Sequence, residues 1–93
     1  MRRTSLVTGG VQGIGRAIVE ALHARGDRVF VFDRLDQHDP LVQGLVSLCH
    51  YITVDVASRD SIKAGFTALA SHTSSLDILV NNRSEEHTSE LQS

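Results

Sequence analysis

Ninety-three residues with nine Lys and Arg against eleven Asp and Glu, and 41% hydrophobic residues, make a near-neutral chain of net charge −2. That allows one domain at most, reads as soluble and globular, and leaves no basic footprint for nucleic acid. The single cysteine, Cys49, gives no disulfide framework and no metal cluster; no stretch has membrane-span length, and glycines cut the N-terminal apolar run too short for a signal peptide, so a cytoplasmic setting without metal or membrane partner is expected.

Ser5 to Thr8 reads as a short strand centred on Leu6 and Val7. Gly9, Gly10, Gly13 and Gly15 follow within seven residues. Ile14, Ala17, Ile18, Ala21 and Leu22 then recur at the i, i+3, i+4, i+7, i+8 spacing of a helix face turned to a core. Gly26 stands where that helix should stop. Arg28 to Phe32 is a second strand. Its run of Val29, Phe30, Val31 and Phe32 does not alternate, as expected of a strand covered on both faces, and it ends in Asp33.

Arg34 to Gln43 is polar and holds the one proline, Pro40. A loop is expected there, with a short helix around Leu41 to Leu48 interrupted by Gly44. His50 to Val54 is rich in strand-favouring residues and reads as a third strand ending in Asp55. Ser58 suits an N-cap, and Ile62, Phe66, Leu69 and Ala70 mark the helix after it. Leu76 to Val80 is a fourth apolar strand, ending in Asn81 and Asn82. Strands alternating with helices predict an α/β fold with a parallel sheet.

The chemistry gathers at the glycine turn. Glycine has no Cβ, so backbone there can approach a ligand closely. A helix starting in the turn directs its free N–H groups and positive dipole end at whatever lies in it, which suits a phosphate. A tight strand-to-helix turn without ligand is the plainer reading of the same residues. In a parallel α/β sheet the carboxyl ends of the strands form the ligand crevice, and Thr8, Asp33, Asp55 and Asn81 all fall on that edge. Asp33 follows Gly15 by eighteen positions. An acidic side chain there can accept hydrogen bonds from ribose hydroxyls and repels a 2′-phosphate, which favours NAD over NADP. Arg34 beside it is a group that can receive that phosphate, and a solvated strand end is the other reading of Asp33.

The spacing Thr8-Gly9-x-x-x-Gly13-x-Gly15, Asp33, and the string LDILVNN ending at Asn82 together resemble the short-chain dehydrogenase/reductase family, over residues 4 to 82. The resemblance implies a Rossmann-type parallel sheet of about four strands in this part, with helices on both faces. It implies an NAD(P)-dependent oxidoreductase passing hydride between nicotinamide and a small alcohol or carbonyl substrate, in a full-length protein that is a homo-oligomer. It places cofactor contacts at Gly9, Gln12, Gly13, Ile14 and Gly15, at Asp33, at Asp55 and Val56 for the adenine, and at Asn81 for the ribose. Asp55 reads equally as a helix-start aspartate. Gln12 is not basic, whereas the family often has a basic residue there when it uses NADP.

The family's catalytic Ser and Tyr-x-x-x-Lys pair would lie beyond Asn82. This chain has one tyrosine, Tyr51, and one lysine, Lys63, and position 55 is Asp, so the pair is absent and no catalytic residue is assigned. Tyr51, at the start of a strand, is expected to pack, away from the crevice. Residues 83 to 93, RSEEHTSELQS, hold one apolar residue, Leu91, and resemble translated sequencing-library adapter. The chain is therefore read as the N-terminal part of a dinucleotide-binding domain, residues 1–82, with a foreign or disordered tail. As such it should lack dehydrogenase activity, and its fourth strand should be an apolar edge that invites aggregation. Two alternatives stand beside this reading. One is a non-catalytic nucleotide-binding module. The other is a Rossmann-type methyltransferase, which would not require this glycine spacing with Asn-Asn after the fourth strand.

Overall fold

The two most buried strands, β1 (Thr4–Thr8) and β2 (Arg28–Asp33), form the middle of a four-stranded sheet in the computed structural model, which describes residues 2–82. β3 (His50–Thr53) lies outside β2, and β4 (Ile78–Asn81) lies outside β1, so the order is β3-β2-β1-β4. All pairings are parallel. The chain steps outward from β1 to β3, then returns across the sheet to place β4 on the other side of β1. The expected α/β architecture is therefore present; the expected foreign tail, 83–93, lies outside the described residues.

β1 and β2 need apolar residues in succession because both of their faces are covered. Val7, Val29 and Val31 point to one face, where they pack with Val19 and Leu22 of α1 (Gly13–Ala24) and Val42 of α2 (Pro40–Gln43). Leu6, Phe30 and Phe32 point to the other, against Val54, just after β3, and Leu69 of α3 (Arg59–Ala70). Each such side chain taken fully out of water contributes about 1.5–3 kcal/mol before the entropy of ordering it is subtracted. At the far end of the sheet, Thr4 N–H donates to Asp77 Oδ2 at 2.8 Å and Asp77 N–H to the Thr4 carbonyl at 2.9 Å, which sets β4 alongside β1.

The helix faces differ from the sequence expectation. α1 buries Gly15, Val19 and Leu22, while Ala17 and Ala21 are exposed and Ile14 is 68% exposed. The buried stripe is rotated because Gly15 must face the Gly9 backbone and Asn82, and the residues four and seven positions on follow it inward. α1 stops in a Schellman arrangement, with Gly26 N–H on the His23 carbonyl and Asp27 N–H on the Leu22 carbonyl, as Gly26 foretold. α2 opens earlier than expected: Asp39 caps it by accepting Leu41 N–H at 2.9 Å, Pro40 occupies the first turn, and Gly44 ends it. α3 begins at its expected cap, Ser58, whose Oγ accepts Ser61 N–H. It buries Gly65 and Leu69, leaving Phe66 and Ala70 exposed. A Cβ on Gly65 would lie 2.5 Å from Val54 and 3.3 Å from the Phe32 ring, so glycine is what lets α3 approach the sheet there.

Candidate functional site

At the carboxyl end of β1 the chain turns through Gly9 and Gly13, with φ of 69° and 63°, values that L side chains rarely adopt. Gly9 N–H still donates to the Phe32 carbonyl at 2.8 Å, so the turn starts in register with β2. A Cβ on Gly9 would lie 2.6 Å from the Asn82 carbonyl, and one on Gly15 would collide with the Gly9 carbonyl. The first turn of α1 is thus pressed against the backbone that precedes it. Gln12, the N-cap, is extended and makes no side-chain cap bond, and the first turn holds no acidic residue. The positive end of α1 is left uncompensated by the side chains that usually cap it.

Beside the turn lies a cleft of about 500 Å³. Of the residues singled out from sequence, Gly9, Asp33, Asp55, Val56 and Asn81 line it, while Gln12, Gly13 and Ile14 lie on the exposed turn next to it and Gly15 is buried beneath. The remaining wall is largely apolar, with Phe32, Val54, Ile62, Phe66 and Leu79. Phe66 packs edge-on against Phe32, ring centroids 5.2 Å apart.

The polar groups are held by the backbone. Asp33 Oδ2 accepts Val11 N–H at 3.2 Å and Oδ1 accepts Arg34 N–H at 2.7 Å. An ionised carboxylate offers about four acceptor positions, so both oxygens keep capacity for a ligand hydroxyl. Asp55 Oδ1 accepts Ala57 N–H at 2.9 Å, and Asp55 N–H donates to Ser61 Oγ at 2.8 Å. That is an Asx turn ahead of α3, whose cap is Ser58 and not Asp55, formed by a residue that also faces the cleft. Asn81 Oδ1 accepts the Thr8 hydroxyl at 3.0 Å.

Two residues do more here than sequence reasoning assigned. Asn82 donates its side-chain Nδ2–H to the Gly9 carbonyl and its backbone N–H to Thr8 Oγ1, both at 3.0 Å, and so ties the end of β4 to the glycine turn. Tyr51 is not confined to packing away from the crevice. Its ring does pack against the α1-side core, but its hydroxyl reaches past the end of β2 to the carbonyls of Leu35, at 2.6 Å, and Asp33, at 2.9 Å. Burial raises its pKa above the ordinary tyrosine value, with Asp33 adding to the shift, so the hydroxyl stays a donor. The available signal was that the polar tip of a half-buried tyrosine must find a partner. Among the described residues, no cluster of three or more His, Cys, Asp and Glu could hold a metal, and no helix is long and apolar enough to cross a membrane.

The sequence matches the short chain dehydrogenase family over residues 3–93. It is 35% identical over 91 residues to 15-hydroxyprostaglandin dehydrogenase (NAD+) of Bos taurus, a match covering 86% of this chain and 32% of that one. It is 40% identical over 83 residues to short-chain dehydrogenase ptmH of Penicillium ochrochloron, covering 87% of this chain and 30% of that one. Among solved structures it is similar to the Pseudomonas aeruginosa RhlG/NADP active-site complex, with a TM-score of 0.76 and 36% identity, covering 86% of this chain and 34% of that one. The chain spans about a third of the length of the curated relatives it matches.

Proposed function

Because the chain belongs to the short-chain dehydrogenase family, we propose that it supplies the dinucleotide-binding part of an NAD(P)-dependent oxidoreductase acting on a small alcohol or carbonyl compound. Residues 1–82 are the binding unit in this reading, within a cytoplasmic homo-oligomer. The glycine cradle, which side chains at Gly9 and Gly15 would fill, fits a group that needs close backbone approach. The N-terminus of α1 would take the pyrophosphate, Asp33 the adenosine ribose hydroxyls, Asp55 and Val56 the adenine, and Asn81 would lie beside a ribose. The bound cofactor supplies the hydride chemistry; the residues described here bind and orient it. Within these 93 residues Tyr51 is followed at position 55 by Asp, so the chain by itself binds nucleotide without turnover.

One observation carries the reading: Asp33 accepts its hydrogen bond from Val11, inside the glycine turn, so phosphate cradle and ribose acceptor form one connected unit. NAD is favoured over NADP, because a carboxylate at that place repels a 2′-phosphate. Calorimetric titration of the full chain with NAD and NADP tests this. NAD is expected to bind more tightly, and Asp33→Asn is expected to weaken NAD about tenfold while NADP is spared, as loss of a charged acceptor predicts. Failure of the wild-type chain to bind either nucleotide overturns the proposal, and tighter binding of NADP overturns the preference.

A further inference from the structure

We infer that the Tyr51 hydroxyl is a positioning group which holds the segment after β2 and thereby sets the discrimination between a free and a 2′-phosphorylated ribose. The inference rests on the dinucleotide reading above and extends it to a residue outside the cleft wall.

β2 ends at Asp33, and two carbonyls flank the next residue, Arg34, which lines the cleft. The Asp33 carbonyl accepts Val54 N–H at 2.8 Å and Tyr51 Oη–H at 2.9 Å. The Leu35 carbonyl accepts the Tyr51 hydroxyl at 2.6 Å and the Thr53 hydroxyl at 3.2 Å. Tyrosine has one hydroxyl proton to share between the two carbonyls, and the shorter distance gives Leu35 the larger share. The backbone on each side of Arg34 is therefore drawn back onto β3. The Asp33 carboxylate, held on its other side by Val11 N–H, stays forward at the cleft. Val11 N–H thus fixes the acidic group, while the hydroxyls of β3 fix the backbone on either side of its basic neighbour. Without the Tyr51 hydroxyl, the Arg34–Leu35 backbone gains freedom, and Arg34 can shift within the cleft it already lines, towards a 2′-phosphate.

The test is Tyr51→Phe, which keeps the ring packing and removes the hydroxyl, with NAD and NADP titrated calorimetrically into the full chain and the thermal midpoint measured on the same samples. The ratio of NAD to NADP affinity is expected to narrow about fivefold, the scale of one lost hydrogen bond, through weaker NAD binding with NADP unchanged or tighter. A merely structural tyrosine would weaken both nucleotides together; an unchanged ratio overturns the inference, whatever happens to the midpoint. If the wild type binds neither nucleotide, the dinucleotide reading itself fails and this inference falls with it. Should Tyr51→Phe not fold, Thr53→Val removes the second hydroxyl on the Leu35 carbonyl and is expected to narrow the same ratio about twofold, being the longer bond; no change there overturns the inference.

Discussion

A single methyl group at Gly15 would separate a binding turn from an ordinary one. Its Cβ would collide with the Gly9 carbonyl and lie 2.8 Å from Asn82 Nδ2. Neither neighbour can yield without losing the bond that joins Asn82 to Gly9. Gly15→Ala is therefore expected to destabilise the fold by about 1–3 kcal/mol, the range for overpacked sites, and to abolish measurable NAD binding. Urea unfolding and the same titration check it; an unchanged urea midpoint would contradict the packing described. The glycines, Asp33 and Asn81 could be read from sequence because each is a residue type tied to a strand end or turn at fixed spacing. Asn82 and the Tyr51 hydroxyl could not be assigned that way. Their partners stand 73 and 16 positions away, and local patterns carry no record of which carbonyl a side chain will meet.

Between elements, the join of α1 to β1 and β2 is electrostatic as well as apolar. Asp27, only 4% exposed, accepts Arg25 Nη2–H and Ser5 Oγ–H, both at 2.7 Å. The Arg25 bond first and the Ser5 bond second pull its carboxyl from 3.8 down to about 2. A lowered carboxyl pKa stabilises the folded state above the unfolded value, and that stability is lost as pH falls from 3.8 towards 2. On β3, burial first, then His72 and Arg28, lower the His50 pKa from 6.5; its ring lies 4.0 Å from that of His72. Folding there favours neutral imidazole, so stability declines as pH drops below 6.5. Denaturant midpoints against pH are expected to fall in two stages, the upper absent in His50→Gln and the lower reduced in Asp27→Asn. Apolar spacing alone does not orient the helices. Alanine is compatible with either face, so Ala17 and Ala21 could not orient α1. The residue that does orient it, Gly15, is not counted as apolar, although it is the one buried in the first turn.

Across the whole molecule, the alternation of elements was enough to give the parallel sheet, because runs such as Val29 to Phe32 make sense only between two covering layers. Strand order was not legible in the same way: nothing local says that β4 returns to β1. Among the described residues β4 is an outer strand, and Leu79 on it is 55% exposed. An outer strand with an apolar side chain facing water favours pairing with another copy. The chain is expected to self-associate with rising concentration, and Leu79→Lys to reduce that association in sedimentation velocity; a wild type that stays monomeric throughout would refute it. The bonds from Asn82 to Thr8 and Gly9 join positions 73 and 74 residues apart. They also impose an order in time. Contacts between distant positions wait on the closure of everything between them. On a ribosome, the first turn of this chain would remain unfinished until Asn82 emerged, so the site at the beginning of the sequence would be among the last parts of residues 2–82 to mature.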